Sequence, residues 1–120
     1  MAIDARVVYE NMFQALNAAW SETHNRALGD YLSDANPWLW SDGGSADPAV
    51  WTEFKSAFEV RFPRGCASPE EAHEFVEGYL AKMSSIYEEW TDEGPCDFVA
   101  DFVNTAKPGV WAQSLLEEQQ

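Results

Sequence analysis

Positive charge is what this sequence has least of. Seven lysines and arginines stand against 21 aspartates and glutamates, which gives a formal net charge of −14. Such a negative field repels the phosphate backbone of nucleic acids and the anionic surface of membranes. We therefore expect neither of them as a partner. An acidic balance of this size suits a basic protein partner or, more simply, solubility.

Long hydrophobic runs are also absent. No stretch approaches the ~20 apolar residues that are needed to cross a bilayer. The first residues place Asp4 and Glu10 where a secretory signal has a basic start followed by an uninterrupted apolar run. These two absences predict a cytoplasmic protein that makes no membrane contact.

Cysteine is scarce as well, with only Cys66 and Cys96. The two residues flank a predicted helix of about 22 residues, which would be about 33 Å long. A disulfide needs Cα atoms within about 7 Å of each other. The spacing therefore predicts two free thiols, as is usual in a reducing compartment.

Strand-like alternation of apolar and polar residues is missing, whereas apolar residues recur at helical spacing along most of the chain. Hydrophobic residues make up 46% of the chain and aromatic residues 14%, enough for the core of one domain. Gly29 offers a stop for the first helix, and Trp111 is a candidate anchor in the last. The sequence predicts an all-α fold, a compact single-domain bundle of about five or six helices, with a Trp-rich loop at 35–47 and helices near 3–28, 48–62, 68–91, 97–105 and 108–118.

The segment 68–91 carries the clearest helical pattern. Ser68 can cap the first turn, Pro69 suits the first helical position, and Glu71 completes a capping box. An apolar stripe follows at spacings of three and four, and several glutamates lie away from it. The pattern predicts a strongly amphipathic helix with one buried face and one acidic face.

Motifs for metal binding and catalysis are weak in this sequence. A calcium loop starting at Asp42 fails because Gly44, Ala46 and Asp47 fall where ligands and a glycine are required. Glu70 and His73 have the Glu-x-x-His spacing of helical di-metal sites, but no second copy exists, so a solvated pair near the polar face is favoured. The chain has no glycine-rich phosphate loop and no G-x-S-x-G elbow. We expect no cofactor and no metal. The sequence favours a non-enzymatic protein over an enzyme.

Cys66 is the one candidate nucleophile. It follows two basic residues, Arg61 and Arg64, and lies just ahead of a helix N-terminus, and both features favour a thiolate. Catalysis would also require His24 or His73 beside the thiol. A small residue in a tight turn is the simpler interpretation.

Acidic residues are concentrated in one part of the chain. Ten acids and a single base, Lys82, lie between Glu70 and Asp101. This distribution favours a surface that steers a basic protein, as in an inhibitor or immunity-type protein that captures a basic toxin. Mimicry of a DNA backbone and a merely solvated helix face are the alternatives. The predicted partner-binding residues are Glu70, Glu74, Glu77, Glu88, Glu89, Asp92 and Glu93.

Two tryptophans in the loop "NPWLWSDGGSADP" have no helical or strand period to bury them. Trp38 and Trp40 would point to the same side of an extended segment. They either plug into the core, which the sequence favours, or form an aromatic anchor for a partner. An alternative function follows from the second case, a small-molecule binder or enzyme with an aromatic pocket under the 36–47 loop that uses both tryptophans and Cys66.

Overall fold

The computed structural model describes residues 3–36, 48–91, 97–107 and 111, and this part of the chain is mostly helical. Its radius of gyration is 13.5 Å, close to the ~14 Å of a compact domain of this length. The predicted all-α bundle is therefore confirmed. In chain order the elements are β1 (Ile3–Asp4), α1 (Ala5–Thr23), α2 (Arg26–Ala35), α3 (Pro48–Arg61), β2 (Cys66–Ala67), α4 (Pro69–Thr91) and α5 (Phe98–Thr105).

The first predicted helix, 3–28, is two helices in the structure. His24 has a left-handed backbone with φ of 51°, and its amide donates to the Trp20 carbonyl at 2.8 Å, which ends α1. Asn25 then begins α2, because its side chain accepts a hydrogen bond from the Leu28 amide. A histidine at the end of a helix carries no strong stop pattern in sequence, so the break was not predicted.

Gly29 lies inside α2, although the sequence predicts a helix stop at this position. Gly29 allows α1 and α2 to approach each other closely. A Cβ atom built on Gly29 would come within 2.8 Å of Nε1 in the Trp20 ring. The absence of a side chain therefore lets Trp20 of α1 lie against α2.

One short antiparallel strand pair departs from the prediction that no strand is present. Ile3 pairs with Ala67, and Asp4 pairs with Cys66. The pair fixes the start of α1 to the connection between α3 and α4. Two residues per strand are too few to produce a recognisable alternation in sequence.

Aromatic side chains form the centre of the core between α1, α3 and α4. Phe54 is fully buried, and its ring lies 5.0 Å from that of Tyr9 and 5.0 Å from that of Tyr79, measured between centroids. Both pairs are edge-to-face, a favoured geometry for aromatic rings.

The C-terminal described residues cover the other side of α4. Phe98 and Phe102 of α5 are fully buried. Trp111 is 2% exposed, and its indole N–H donates to the Pro69 carbonyl at 3.1 Å. The buried anchor predicted at Trp111 is confirmed. Among the helices in the described ranges, none combines the length and the apolar character required to span a bilayer.

Candidate functional site

The acidic face of α4 is the surface singled out by the sequence. Glu70, Glu74, Glu88 and Glu89 are exposed, and the side chain of Glu77 is 40% exposed. The structure therefore brings these five predicted residues to the outside of one helix. Asp92 and Glu93 lie outside the described residues.

The helical repeat sets the layout of these carboxylates. At about 100° per residue, Glu70, Glu74, Glu77 and Glu88 fall within an arc of about 60°. Glu89 lies on the flank of this arc. Residues 70 and 88 are separated by about 27 Å along the helix axis. Between the two groups of glutamates, the small exposed residue Ala81 falls within the arc, and Ser85, also exposed, lies just outside it.

The opposite side of α4 is held firmly. Ala72, Val76 and Leu80 are fully buried against the other helices. In the described part of the chain, no lysine or arginine forms a salt bridge with the exposed glutamates of this face. The face therefore presents negative charge on a fixed scaffold that the fold does not neutralise locally.

His73 was predicted as a solvated residue near the polar face, and this prediction is wrong. Its side chain is buried, with Nε2 2.7 Å from the carbonyl oxygen of Ala106 and the ring packed 4.8 Å from that of Phe102. Its Nδ1 lies 3.7 Å from Oε2 of Glu77. Because a carbonyl can only accept, Nε2 carries the hydrogen. His73 thus joins α4 to the end of α5, a long-range contact that local spacing does not reveal.

Cys66 lines a pocket with a volume of about 470 Å³. The guanidinium of Arg61 lies over the ring of Phe62, 4.7 Å from its centroid, at the same pocket. The helix N-terminus beside it is already satisfied, because Glu71 and Ser68 form the predicted capping box with two hydrogen bonds of 3.2 Å. The hydrogen bond from the Ser68 amide lowers the pKa of the Glu71 carboxyl, and the Ser68 hydroxyl acts in the same direction.

The nucleophile hypothesis for Cys66 finds no assembled partner in the described residues. Neither His24 nor His73 lines the pocket. His73 is committed to Ala106, and the ring of His24 packs against Trp20 with 5.0 Å between centroids. A general base beside the thiol is what cysteine catalysis requires.

A second pocket, of about 180 Å³, lies between α2, α3 and α4 and was not predicted. Three tyrosines, two carboxylates and four other side chains surround it: Tyr31, Asp34, Ala49, Val50, Glu53, Tyr79, Met83, Ile86 and Tyr87. The hydroxyl of Tyr31 donates to that of Tyr79 at 3.3 Å, and the hydroxyl of Tyr87 donates to Oδ2 of Asp34 at 2.8 Å. We call it the tyrosine pocket. In the sequence, its tyrosines have the same helical spacing as the apolar core residues. No sequence pattern therefore indicates the pocket.

Two tyrosine hydroxyls of this pocket, those of Tyr31 and Tyr79, are kept neutral. Burial raises the pKa of Tyr79 to about 12, and the nearby Glu53 carboxylate contributes in the same direction. Burial also holds the pKa of Tyr31 well above its ordinary value, with the neighbouring tyrosines adding to the effect. Both side chains are therefore phenols at neutral pH and can donate hydrogen bonds.

The predicted aromatic anchor, Trp38 and Trp40, lies outside the described residues, as does most of the 35–47 loop. Within the described ranges, no group of three or more histidine, cysteine or acidic side chains could hold a metal ion. Comparison of the chain with protein-family models, curated proteins and solved structures found no match. The chain's own residues are therefore the guide to its function.

Proposed function

We propose that this protein is a non-enzymatic acidic domain that binds a basic protein partner through the exposed face of α4. The observation that carries the proposal is the single arc of carboxylates formed by Glu70, Glu74, Glu77 and Glu88 on one side of a helix whose other side is core. Lys82 is the only lysine or arginine in the α4 sequence.

Electrostatics gives this face a means of attracting its partner. Like charges fixed on one helix produce a potential that raises the association rate of an oppositely charged protein. The fixed scaffold also reduces the ordering cost of binding, because the helix does not have to form in the complex. The attraction is screened over about 10 Å at 0.1 M salt, so binding should weaken as the salt concentration rises.

The proposal also includes an apolar contact and a biological setting. Trp38 and Trp40 are proposed as anchors for the partner, since tryptophan is enriched among residues that dominate binding energy. Asp92 and Glu93 extend the acidic set. The setting is cytoplasmic, and the form we favour is an inhibitor or immunity-type protein that neutralises a basic toxin. The high acidity supports this form.

The test is affinity capture from the native host's lysate with tagged protein at low and high salt. The face variant is Glu70→Gln/Glu74→Gln/Glu88→Gln, which leaves Glu77 with its contact to His73 intact. The matched control, Glu22→Gln/Asp30→Asn/Glu59→Gln, removes the same charge from exposed positions elsewhere. Circular dichroism confirms that both variants are folded before capture is compared.

A basic protein retained by the wild type and the control, and lost with the face variant and at high salt, is the expected result. Its binding is then measured with the purified partner, alongside a folded Trp38→Ala/Trp40→Ala variant. Equal loss in the face and control variants would show that only net charge matters, and the assigned face would be wrong. If no basic protein is retained by the wild type, the proposal fails.

A further inference from the structure

His73 is a buried titratable side chain that the proposed function does not use. It is 6% exposed, and its ring packs against that of Phe102, 4.8 Å away, and that of Trp111, 5.8 Å away, measured between centroids. Because the ring is held on these sides, each of its two nitrogens faces one fixed neighbour.

The two ring nitrogens of His73 face different acceptors. Nε2 lies 2.7 Å from the carbonyl oxygen of Ala106, the C-cap of α5, and Nδ1 lies 3.7 Å from Oε2 of Glu77, one turn further along α4. A neutral imidazole has a single N–H, and the carbonyl requires it. The lone pair on Nδ1 then faces an ionised carboxylate, which can also only accept. One proton on Nδ1 turns this opposed pair of acceptors into a donor and an acceptor.

The charged groups on the elements that pack against His73 are mostly acidic. In α4 near the ring they are Glu70, Glu71, Glu74 and Glu77, and at α5 they are Asp97, Asp101 and the exposed Lys107. Within the described residues, Glu77 lies within ion-pair distance of the ring and the others do not. Trp111, which covers the ring, carries no charge. The immediate surroundings of Nδ1 therefore favour a positive charge there.

Two effects oppose an imidazolium at this position, and both are limited. The positive end of the α4 dipole disfavours a cation, but its effect fades within the first turn, and His73 is the fifth residue of the helix. Burial also penalises the charge. That cost is offset because both N–H groups of the imidazolium have an acceptor in place, the Glu77 carboxylate and the Ala106 carbonyl.

We propose that His73 is a pH-sensitive switch at the junction of α4 and α5. A proton on Nδ1 forms a charge-assisted hydrogen bond to Glu77. The same proton strengthens the bond from Nε2 to the Ala106 carbonyl, because both bonds then have a cationic donor. Acidification through the range in which histidines titrate, about pH 8 to 5, therefore tightens the link between the start of α4 and the end of α5.

The switch also acts on the acidic face of α4, because Glu77 belongs to its arc of four carboxylates. An imidazolium beside Glu77 offsets one of the negative charges in that arc. Attraction of a basic partner should therefore weaken on acidification. This consequence rests on the proposed function, whereas the switch itself does not, and it is tested without a partner.

Nuclear magnetic resonance of the ¹⁵N-labelled full chain tests the protonation directly, with the His73 ring signals assigned by their loss in His73→Gln. At about pH 8 we expect the Nε2–H tautomer, and at about pH 5.5 both nitrogens carry hydrogen. At about pH 6 the protonated fraction should fall at least about twofold in Glu77→Gln. The matched control is Glu74→Gln, which removes the same charge from an exposed neighbour without ion-pair contact to the ring, and it should change the fraction much less.

Urea denaturation measures the link between the helices. His73→Gln keeps a donor for the Ala106 carbonyl but cannot take up the proton, so a double-mutant cycle with Glu77→Gln isolates the coupling. Between about pH 8 and about pH 5.5 the coupling should grow about fivefold in the unfolding equilibrium constant, or about 0.6 M in the urea midpoint. The same cycle with Glu74→Gln should show no such growth.

Three results would each overturn the proposal. They are an Nδ1–H tautomer at pH 8, a His73 ring that stays neutral at pH 5.5, and a protonated fraction that Glu77→Gln and Glu74→Gln change equally. Circular dichroism confirms that each variant is folded. If His73→Gln fails to fold, the ring signals of the wild type and the two glutamate variants decide. Failure to capture a basic protein leaves these measurements unaffected, so the switch and the proposed function can fail separately.

Discussion

Replacing Phe54 by alanine tests the aromatic core most directly. Phe54 is 0% exposed, and its ring has five aromatic neighbours with centroid distances between 5.0 and 6.3 Å. Truncating a buried phenylalanine to alanine costs about 3–5 kcal/mol, and each ring pair adds about 0.5–1.5 kcal/mol beyond area burial. We expect a loss near the upper end, about 5 kcal/mol, out of a total of about 5–15 kcal/mol for a domain.

Urea denaturation followed by circular dichroism measures this loss. With a slope of about 1.5 kcal/mol per molar, 5 kcal/mol lowers the midpoint by about 3 M. The urea midpoint of Phe54→Leu should lie between those of Phe54→Ala and the wild type, because leucine keeps much of the buried volume. Val60→Ala is the matched surface control, since Val60 is 81% exposed, and it should change stability by less than about 0.5 kcal/mol. A loss below about 2 kcal/mol for Phe54→Ala would refute the argument that this ring is the centre of the core.

Three further predictions concern the backbone at Gly65, the hydrogen bond between His73 and the Ala106 carbonyl, and the tyrosine pocket. Gly65→Ala should cost about 1–2 kcal/mol in urea denaturation, because Gly65 has φ of +78° and no atom lies within 4 Å of the added Cβ, so steric crowding cannot account for a loss. His73→Phe should cost about 1–3 kcal/mol by the same measurement, because it removes the donor to the Ala106 carbonyl. An unchanged stability would contradict a stabilising role for this hydrogen bond. For Tyr79, whose pKa is raised to about 12 from about 10 when unfolded, the stabilising contribution is fully present below pH 10 and is lost as the pH rises towards 12. Thermal melts across that range should show the loss, and a Tyr79→Phe variant should show a smaller one.

Much of the helical structure was predictable because its determinants are local. The capping box of Ser68 and Glu71 joins residues three positions apart, so the start of α4 can be inferred from a short stretch. The exposed glutamates of α4 follow from the helical period in the same way. Helix ends were less predictable. Gly29 is a usual stop residue, yet here it accommodates the Trp20 ring from the neighbouring helix.

Side chains that meet across helices escaped prediction. His73 has the position of a first-turn polar residue, but α5 and Trp111 cover it, and the Ala106 carbonyl, 33 residues away, satisfies its ring nitrogen. Its burial depends on where α5 packs. The spacing of residues within α4 carries no information about that placement.

The acidity, the helical class and the separation of α4 into a buried and a charged face follow from the order of the amino acids alone. These properties depend on composition and on contacts within a few residues. In contrast, the packing of the helices brings together Tyr31 and Tyr79, 48 residues apart, which share a hydrogen bond at a pocket with Asp34 and Glu53. The reason is physical: a pocket is the space left where three helices meet, and its lining depends on their relative placement, which the period of no single helix specifies.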